Sequence, residues 1–338
     1  MNGQLCSLKF LILLLVILIF IYGYIFDYKN KRMINKWIED SVKLQESKNS
    51  VNNFTYQAFK HPLAPPYPFP YKFLINQPDK CKNRKPFLVI MVLVPCQDLM
   101  SRHIIRETWG NESIYDVEVV RIFLVGLPQV ATDRNQYLLK EESVNFGDIV
   151  QQDFMDTYYN LTLKTLMGME WVTKFCPSAS YVMKIDSDMF LNADYLIHNI
   201  LYPDLPIQTN YFTGALFKNS GPYRTTSSKW YVPKEVYPIN AYPPYCSGTG
   251  YVFSADLARK IYDVAQVLRV ISMEDAFVGI CLFRLHISPR TSSRGVFNIN
   301  KLDYDHCKFR KVVTVHHYGG EELQKIWTDF WAKKSQKC

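Results

Sequence analysis

The sequence predicts an α/β fold, in which one domain builds a mostly parallel central sheet flanked by helices. From residue 85 onward, apolar runs of strand length alternate with segments of helical period, an order typical of parallel sheets covered by helices on both faces. With 338 residues, of which 48% are apolar, the chain is long enough to bury a large core. A single domain of about 250 residues fits the size that such folds reach.

The amino-terminal part predicts a membrane anchor followed by a stem. Residues 10–26 form an uncharged apolar run, at the short end of the length that spans a bilayer, and no small-residue cleavage site follows it. We therefore expect a cytosolic tail (1–9), a transmembrane signal anchor (10–26), a stem (27–84) and the main domain (85–338). Five prolines between residues 62 and 70 favour an extended, stiff stem. The alternative is an N-terminal arm that packs on the main domain through Tyr67, Phe69 and Tyr71.

The orientation of the predicted anchor rests on conflicting signals. Lys29, Lys31, Arg32 and Lys36 follow the apolar run, and the positive-inside rule then favours a cytosolic body. Against this, eight cysteines stand without a C-x-x-C pair, which indicates disulfides or buried thiols. Three sequons, at Asn53, Asn111 and Asn160, predict glycosylation. We expect a lumenal body, in which the odd number of cysteines after the anchor leaves at least one unpaired.

The formal net charge of +8 gives no indication of a nucleic-acid partner, because the basic residues are scattered and form no long run. In the first half of the main domain, strands are expected at 87–94, 117–125, 148–152 and just before Asp186, with helices at 101–109, 136–144 and 158–176. In the less regular second half, strands are expected at 211–216, 251–253 and 312–316, and helices at 255–267, 274–285 and from 321 onward.

The most informative segment is Ser180–Leu191, where a predicted strand ends in Asp186-Ser-Asp188. Ligands of open α/β sheets bind beyond the carboxyl ends of the strands. Two carboxylates there offer hard oxygen ligands for a Mg²⁺ or Mn²⁺ that bridges a diphosphate. The alternative is a polar turn, in which aspartate is common.

Other charged groups have both a functional and a structural interpretation. Arg102 and Arg106 share a helix face, which suits a diphosphate or a carboxylate but equally a solvated surface. Glu274 and Asp275 begin a predicted helix, where they complement its dipole or where one acts as a general base. His316 ends a predicted strand and would complete a metal site, although a lone surface histidine is more frequent.

The segment Tyr242–Phe253 is dense in aromatic residues, prolines and glycines. Gly248 and Gly250 allow the backbone to turn tightly or to approach a ligand closely. Tyr245 and Tyr251 offer rings that can stack on a sugar face. The structural alternative is a tight turn that leads into a strand.

Taken in order, these segments resemble the beta-1,3-galactosyltransferase family of type II Golgi membrane enzymes, which includes beta-1,3-N-acetylglucosaminyltransferases. The resemblance covers roughly residues 87–338. The motifs that carry it are Ile105-Arg-Glu-Thr-Trp-Gly110, Phe123-Leu-Val-Gly126, Gly147-Asp-Ile-Val-Gln-Gln-Asp-Phe154, Asp156-Thr-Tyr-Tyr-Asn-Leu-Thr-Leu-Lys-Thr165, Lys184–Asp188, Tyr245-Cys-Ser-Gly-Thr-Gly-Tyr251 and Glu274-Asp-Ala-Phe-Val-Gly279. One departure is Ala276, where family members usually carry valine.

The resemblance implies a GT-A-like fold, a Golgi location, dependence on Mn²⁺ with Mg²⁺ as the alternative, UDP-galactose as donor and inversion at the anomeric carbon. The expected acceptor is the 3-hydroxyl of a terminal N-acetylglucosamine or a related sugar on a glycoprotein or glycolipid. Transfer of N-acetylglucosamine or N-acetylgalactosamine, or an inactive membrane-tethered sugar-binding protein, are the alternatives. The acceptor carrier, the disulfide pairing and the oligomeric state stay open.

The resemblance also distributes roles among the residues of this chain. Asp275 is the expected catalytic base, and Asp188 and His316 are the expected metal ligands. We expect the donor to contact Lys184, Asp186, Arg102 and Arg106, and the acceptor to contact Trp109, Tyr245, Gly248 and Glu274.

Overall fold

A computed structural model describes residues 2–50, 63–130 and 132–338 of the chain. Its α-helices are α1 (Asn2–Ser50), α2 (Leu99–Glu107), α3 (Asp133–Phe146), α4 (Leu161–Phe175), α5 (Ala193–Leu196), α6 (Asp256–Ala265), α7 (Glu274–Arg284), α8 (His306–Phe309) and α9 (Gly320–Ala332). Two 3₁₀ turns, Glu112–Ile114 and Tyr158–Asn160, and a π-helical turn, Ile197–Leu201, supplement them.

The strands form two sheets. They are β1 (Phe73–Ile75), β2 (Leu88–Leu93), β3 (Val119–Leu127), β4 (Ile149–Met155), β5 (Tyr181–Asp186), β6 (Met189–Leu191), β7 (Phe212–Phe217), β8 (Tyr245–Ser254), β9 (Arg290–Thr291), β10 (Phe297–Asn298) and β11 (Thr314–His316). The large sheet has the order β1-β4-β3-β2-β5-β8-β7-β9, and the small one has the order β10-β11-β6. The α/β prediction is confirmed, as are the strands and helices expected from residue 87 onward.

The centre of the large sheet is a parallel block formed by β4, β3, β2 and β5. β2 is apolar throughout and every one of its residues is buried, as expected for a parallel strand that is covered on both faces. Val89 and Met91 point into the core beneath α4, α6 and α7, whereas Leu88 and Ile90 point into the core beneath α2 and α9. At the two ends of this block, β1 pairs antiparallel with β4 and β8 pairs antiparallel with β5, so the large sheet is mixed.

The small sheet brings distant residues next to the end of β5. β6 follows β5 after only two residues, and β11 pairs with it antiparallel, so that His316 lies opposite Met189. His316 is therefore a neighbour of Asp188 in space although 128 residues separate them.

The amino-terminal region differs from the predicted stiff stem. α1 continues to Ser50, and Ile34, Trp37 and Ile38 on one of its faces are buried, with the Trp37 ring 5.2 Å from that of Tyr237. The spacing of these three residues is helical, a signal that the proline-based prediction passed over. β1 also begins upstream of residue 85, so the main domain includes part of the predicted stem.

Among the described residues, no helix combines the length and the apolar character that crossing a bilayer requires. The side chains of residues 10–13, at the start of the predicted anchor, lie outside the described residues. The sequon asparagine Asn53 lies outside them as well.

Two disulfides are formed, Cys81–Cys176 and Cys307–Cys338. Within the described part of the chain, Cys96, Cys246 and Cys281 are free and buried. Both expected outcomes for the single cysteines, pairing and burial as thiols, are therefore present.

Candidate active site

The Asp-Ser-Asp segment lies at the carboxyl edge of the large sheet. Asp186 is the last residue of β5, and the Ser187 amide donates to the Leu93 carbonyl at the end of the neighbouring β2. This bond continues the parallel register one residue beyond the strands. The Asp186 side chain is 30% exposed and that of Asp188 is 53% exposed, so both carboxylates reach the surface of the cleft.

Asp188 forms one half of the site together with His316. The imidazole Nε2 is 3.2 Å from Asp188 Oδ2, and Nδ1 is 3.0 Å from the Ile299 carbonyl oxygen. Since that carbonyl can only accept, the proton belongs on Nδ1, and Nε2 then offers a lone pair. The nearby Asp188 carboxylate raises the pKa of His316 against the effect of burial, and His316 lowers the pKa of Asp188 against the same effect.

A carboxylate oxygen and two imidazole nitrogens form a possible donor set for a metal ion. The ligand atoms of Asp188, His316 and His317 all lie within 4.8 Å of one another. Carboxylate oxygen suits ions such as Mg²⁺ and Mn²⁺, and imidazole is a common ligand of divalent transition metals. The residues present therefore fit a divalent cation.

Lys184 lies buried behind Asp186 and connects the two halves of the site. Its Nζ is 2.7 Å from Asp186 Oδ1, donates to the Gly248 carbonyl, and lies 3.6 Å from Glu274 Oε2. Burial lowers the pKa of Lys184, but the carboxylates of Asp186 and Glu274 outweigh it, so the net pKa is raised. Lys184 is 1% exposed, so its contribution to a donor site is to hold Asp186.

Asp275 forms the other half of the site, at the first turn of α7. The Gly248 amide donates to its Oδ2 at 3.0 Å, and the Ala276 amide donates to its Oδ1 at 2.8 Å. Burial raises the pKa of Asp275, the two amides and Lys184 oppose this, and Asp186 adds to it. Gly248 and Lys184 thus link Asp275 to Asp186 through three successive hydrogen bonds, in which Gly248 donates to Asp275 and Lys184 donates to both the Gly248 carbonyl and Asp186.

Glu274 faces the interior rather than an acceptor. It is 6% exposed, and its Oε1 accepts a hydrogen bond of 2.6 Å from the Tyr251 hydroxyl. Burial raises the pKa of Glu274 to about 7, with Lys184 opposing and Asp275 adding to the shift. A Cβ added to Gly248 would lie 2.9 Å from Glu274 Oε2, which explains why β8 carries glycine there.

Three residues predicted to contact substrates are buried and paired within the protein. Arg102 and Arg106 are 2% and 7% exposed, and their guanidiniums are paired with Glu142 and Asp148. Trp109 is fully buried, and its Nε1 donates to the carbonyl of Met189, which follows Asp188. As a correction to the prediction, these side chains belong to the core, because α2 turns the face of the two arginines inward and Trp109 packs under the Asp-Ser-Asp segment.

Tyr245 remains beside the site, half-buried. Its ring stacks on Phe217 with the centroids 5.4 Å apart, and burial together with Asp275 raises the pKa of its hydroxyl to about 12.

Of the sequon asparagines, Asn111 caps a 3₁₀ turn, and Asn160 Nδ2 donates to the Met155 carbonyl. A glycan on Asn160 would have to displace that bond, and glycosylation at these residues stays a prediction.

A buried ion pair anchors the loops that flank the site. Asp156 Oδ2 accepts hydrogen bonds from two backbone amides. One is that of Cys96, which follows β2, at 3.1 Å, and the other is that of Gly126 in β3, at 3.0 Å. Its Oδ1 is 2.6 Å from Lys164 Nζ, which also donates to the Val94 carbonyl at 2.9 Å. The motif Asp156–Thr165 therefore locks the ends of two strands to α4, beside the strand that carries Asp186.

Comparison with known proteins decides the family. A family model described as Galactosyltransferase matches residues 100–293. The chain is 46% identical to Beta-1,3-galactosyltransferase 2 of Homo sapiens over 275 residues, which are 81% of this chain and 65% of that protein. It is 44% identical to Beta-1,3-galactosyltransferase 1 of Mus musculus over 287 residues, which are 85% of this chain and 86% of that protein.

The chain belongs to the galactosyltransferase family. The family resemblance predicted from the ordered motifs is thereby confirmed. The chain spans just under two thirds of the length of the Beta-1,3-galactosyltransferase 2 proteins of Homo sapiens and Mus musculus. Its substrates are therefore inferred from the site, below.

Proposed function

We propose that this chain is an inverting glycosyltransferase that moves galactose from UDP-galactose to the 3-hydroxyl of a terminal N-acetylglucosamine or a related sugar. The names of its relatives support the donor and the linkage. The observation that carries the proposal is the position of Asp275, which Gly248 and Lys184 connect to Asp186 at one edge of the sheet.

Asp188 and His316 would hold a divalent cation, whose positive charge would neutralise the negative charge that grows on the departing UDP. Asp186 would hold the donor beside it, with one of its oxygens fixed by Lys184. Because Lys184 is buried between Asp186 and Glu274, it maintains the orientation of Asp186 without occupying the cleft.

Asp275 would accept the proton of the attacking acceptor hydroxyl. Inversion in a single displacement requires one carboxylate on the face opposite the leaving group. Burial makes Asp275 a stronger base than an exposed aspartate, because its charged form is less well stabilised. Two backbone amides fix its orientation, so the carboxylate does not have to reorganise during the step.

We propose further that the fold is GT-A-like and that the chain is a single-pass type II protein of the Golgi membrane, with residues 10–26 as anchor. The two disulfides and the three sequons support a lumenal body. The acceptor sugar would then be carried by a glycoprotein or glycolipid that passes through the same compartment.

The test is a panel of donors and acceptors with the purified protein. UDP release and product linkage are measured with UDP-galactose, UDP-N-acetylglucosamine and UDP-N-acetylgalactosamine, each with Mn²⁺, Mg²⁺ or a chelator. Acceptors end in N-acetylglucosamine or in galactose. We expect β-1,3-linked galactose on N-acetylglucosamine, with Mn²⁺ and not with the chelator. Transfer of another sugar, or undiminished transfer with the chelator, would contradict the proposal.

A further inference from the structure

Beside the carboxylates lies a group of exposed aromatic rings that the predicted site did not include. Tyr158, Tyr223 and Trp230, here termed the aromatic platform, are 44%, 55% and 39% exposed. The rings of Tyr223 and Trp230 are 5.3 Å apart and tilted by 41°. Single exposed aromatic residues are ordinary on a protein surface, whereas contiguous ones mark a binding surface.

The platform adjoins the catalytic end of the sheet. Lys229 Nζ lies 4.8 Å from the centroid of the Trp230 ring and 5.8 Å from that of the Tyr158 ring, so the two rings are neighbours. Tyr158 follows the end of β4 by three residues, at the same carboxyl edge of the parallel block at which Asp186 ends β5. Burial raises the pKa of Tyr158, and the carboxylates of Asp275 and Asp186 raise it further, as expected for a hydroxyl beside the site.

Tyr223 and Trp230 are held in place although their segment, residues 218–244, has little regular structure. Arg224 donates to the carbonyls of Val232, Tyr237 and Ile239 at 2.6, 2.8 and 2.7 Å. These bonds brace the backbone that carries the two exposed rings, and preorganised rings bind at a lower entropic cost.

We propose that the aromatic platform is the acceptor subsite, where the apolar face of the acceptor hexose stacks on Trp230 and its hydroxyl turns toward Asp275. This inference rests on the proposed function. A β-linked pyranose with equatorial hydroxyls exposes flat C–H faces, which match the apolar faces of large aromatic rings.

Lys229 gives the platform a polar rim. Its Nζ lies 4.8 Å from the centroid of the Trp230 ring and 5.8 Å from that of Tyr158. An ammonium there can donate to sugar hydroxyls or to an acetamido carbonyl, as polar groups at the edge of a mostly apolar site usually do. The arrangement favours a neutral or amide-bearing sugar stacked on its ring face.

The test compares Trp230→Ala and Trp230→Phe with Trp331→Ala. Trp331 also lies beneath a lysine, with Lys334 Nζ 4.3 Å from its ring centroid. Trp331 serves as a control because it lies far from the site. α9 starts beside Asp188, and since a helix rises 1.5 Å per residue, Trp331 lies about 16 Å along the helix axis from that start. Initial rates are measured against acceptor and donor separately, together with hydrolysis of the donor by water.

We expect Trp230→Ala to raise the acceptor KM at least about tenfold, and Trp230→Phe to raise it less. The donor KM and the rate of donor hydrolysis should stay unchanged in both variants. Trp331→Ala should leave all three quantities unchanged. An unchanged acceptor KM in Trp230→Ala, with wild-type donor hydrolysis as proof of folding, would overturn the proposal.

Binding of an N-acetylglucosamine-terminated disaccharide, followed by ligand-observed NMR with UDP and Mn²⁺ present, separates this inference from the proposed function. Binding by the wild type that Trp230→Ala weakens at least about tenfold supports the platform even if no galactose is transferred. Equal binding by both proteins rejects the platform even if the wild type transfers galactose.

Discussion

Two clusters of buried charge within the described part of the chain differ in their balance of charge. In the arginine cluster, three guanidiniums surround two carboxylates, and its members are Arg102, Arg106, Arg121, Glu142 and Asp148. In the carboxylate cluster one ammonium faces three carboxyl groups, and its members are Lys184, Asp186, Glu274 and Asp275. Asp188 and His316 adjoin the second cluster.

The pKa shifts of the two clusters run in opposite directions. Burial would raise the pKa of Asp148, but Arg106 and Arg121 lower it overall. The pKa values of Asp186, Glu274 and Asp275 are all raised, with burial as the first cause. For a carboxyl group, a lowered pKa means that its charge stabilises the folded state, and a raised pKa means that its charge costs stability. The first cluster therefore serves the fold, and the second retains charge for a ligand.

The largest effect on stability is expected from Asp148→Asn. The change leaves Arg106 and Arg121 buried with one carboxylate fewer, and breaking a buried pair in this way costs about 3–5 kcal/mol. Urea unfolding of the purified protein measures it. Turnover per folded molecule should stay at the wild-type value, and an unchanged free energy of unfolding would show that the arginine cluster does not support the fold.

Asp188→Ala should act on binding instead of stability. Loss of a metal ligand is expected to weaken Mn²⁺-dependent UDP binding at least about 100-fold, or about 2.7 kcal/mol. Calorimetry with Mn²⁺ and with a chelator measures this, and the two proteins should bind UDP equally weakly in the chelator. Wild-type affinity in Mn²⁺ would remove Asp188 from the metal site.

Glu274→Gln tests the carboxylate cluster through pH. The folded pKa of Glu274, about 7, lies above the usual 4.5, so its stabilising contribution is present below pH 4.5 and is lost as pH rises to 7. The free energy of unfolding of the wild type should therefore fall relative to Glu274→Gln over that range, by on the order of 3 kcal/mol. Parallel pH profiles of the two proteins would contradict the raised pKa.

Glu118→Gln should change the free energy of unfolding least, and it provides an exposed ion pair for comparison with the buried ones. Glu118 pairs with Arg84 at 2.6 Å, but the Arg84 side chain is 34% exposed and that of Glu118 is 38% exposed. Water screens such a pair, so we expect a loss of at most about 1 kcal/mol in the same urea experiment. A loss as large as that of Asp148→Asn would mean that burial does not distinguish these ion pairs.

The arginine cluster also shows why sequence reasoning misplaced some residues. The spacing of Arg102 and Arg106 correctly predicted a shared helix face, but their partners stand about 40 residues away, and no periodicity reveals them. Trp109 was misplaced for the same reason, since its bond to Met189 spans 80 residues. A helix face can be read from a sequence, whereas what covers that face cannot.

The carboxylate cluster was easier to predict because its members occupy topological positions. Asp186 ends a strand and Asp275 begins a helix, and such ends converge at one edge of an α/β sheet. The platform residue Tyr158 follows the end of β4, but Trp230 obeys no such rule, because the irregular segment 218–244 carries it to Tyr158. The docked face of α1 was predictable from the helical spacing of Ile34, Trp37 and Ile38.

The most direct test of this account is Asp275→Asn, with turnover, UDP affinity and unfolding measured on the same preparation. We expect transfer to fall by about 100-fold or more, the size of a general-base effect, with Mn²⁺-dependent UDP affinity unchanged. Because the asparagine Nδ2 cannot accept the hydrogen bond from one of the two backbone amides, the unfolding measurement serves to show that the variant is folded at pH 7. Wild-type turnover in the folded variant would contradict the account.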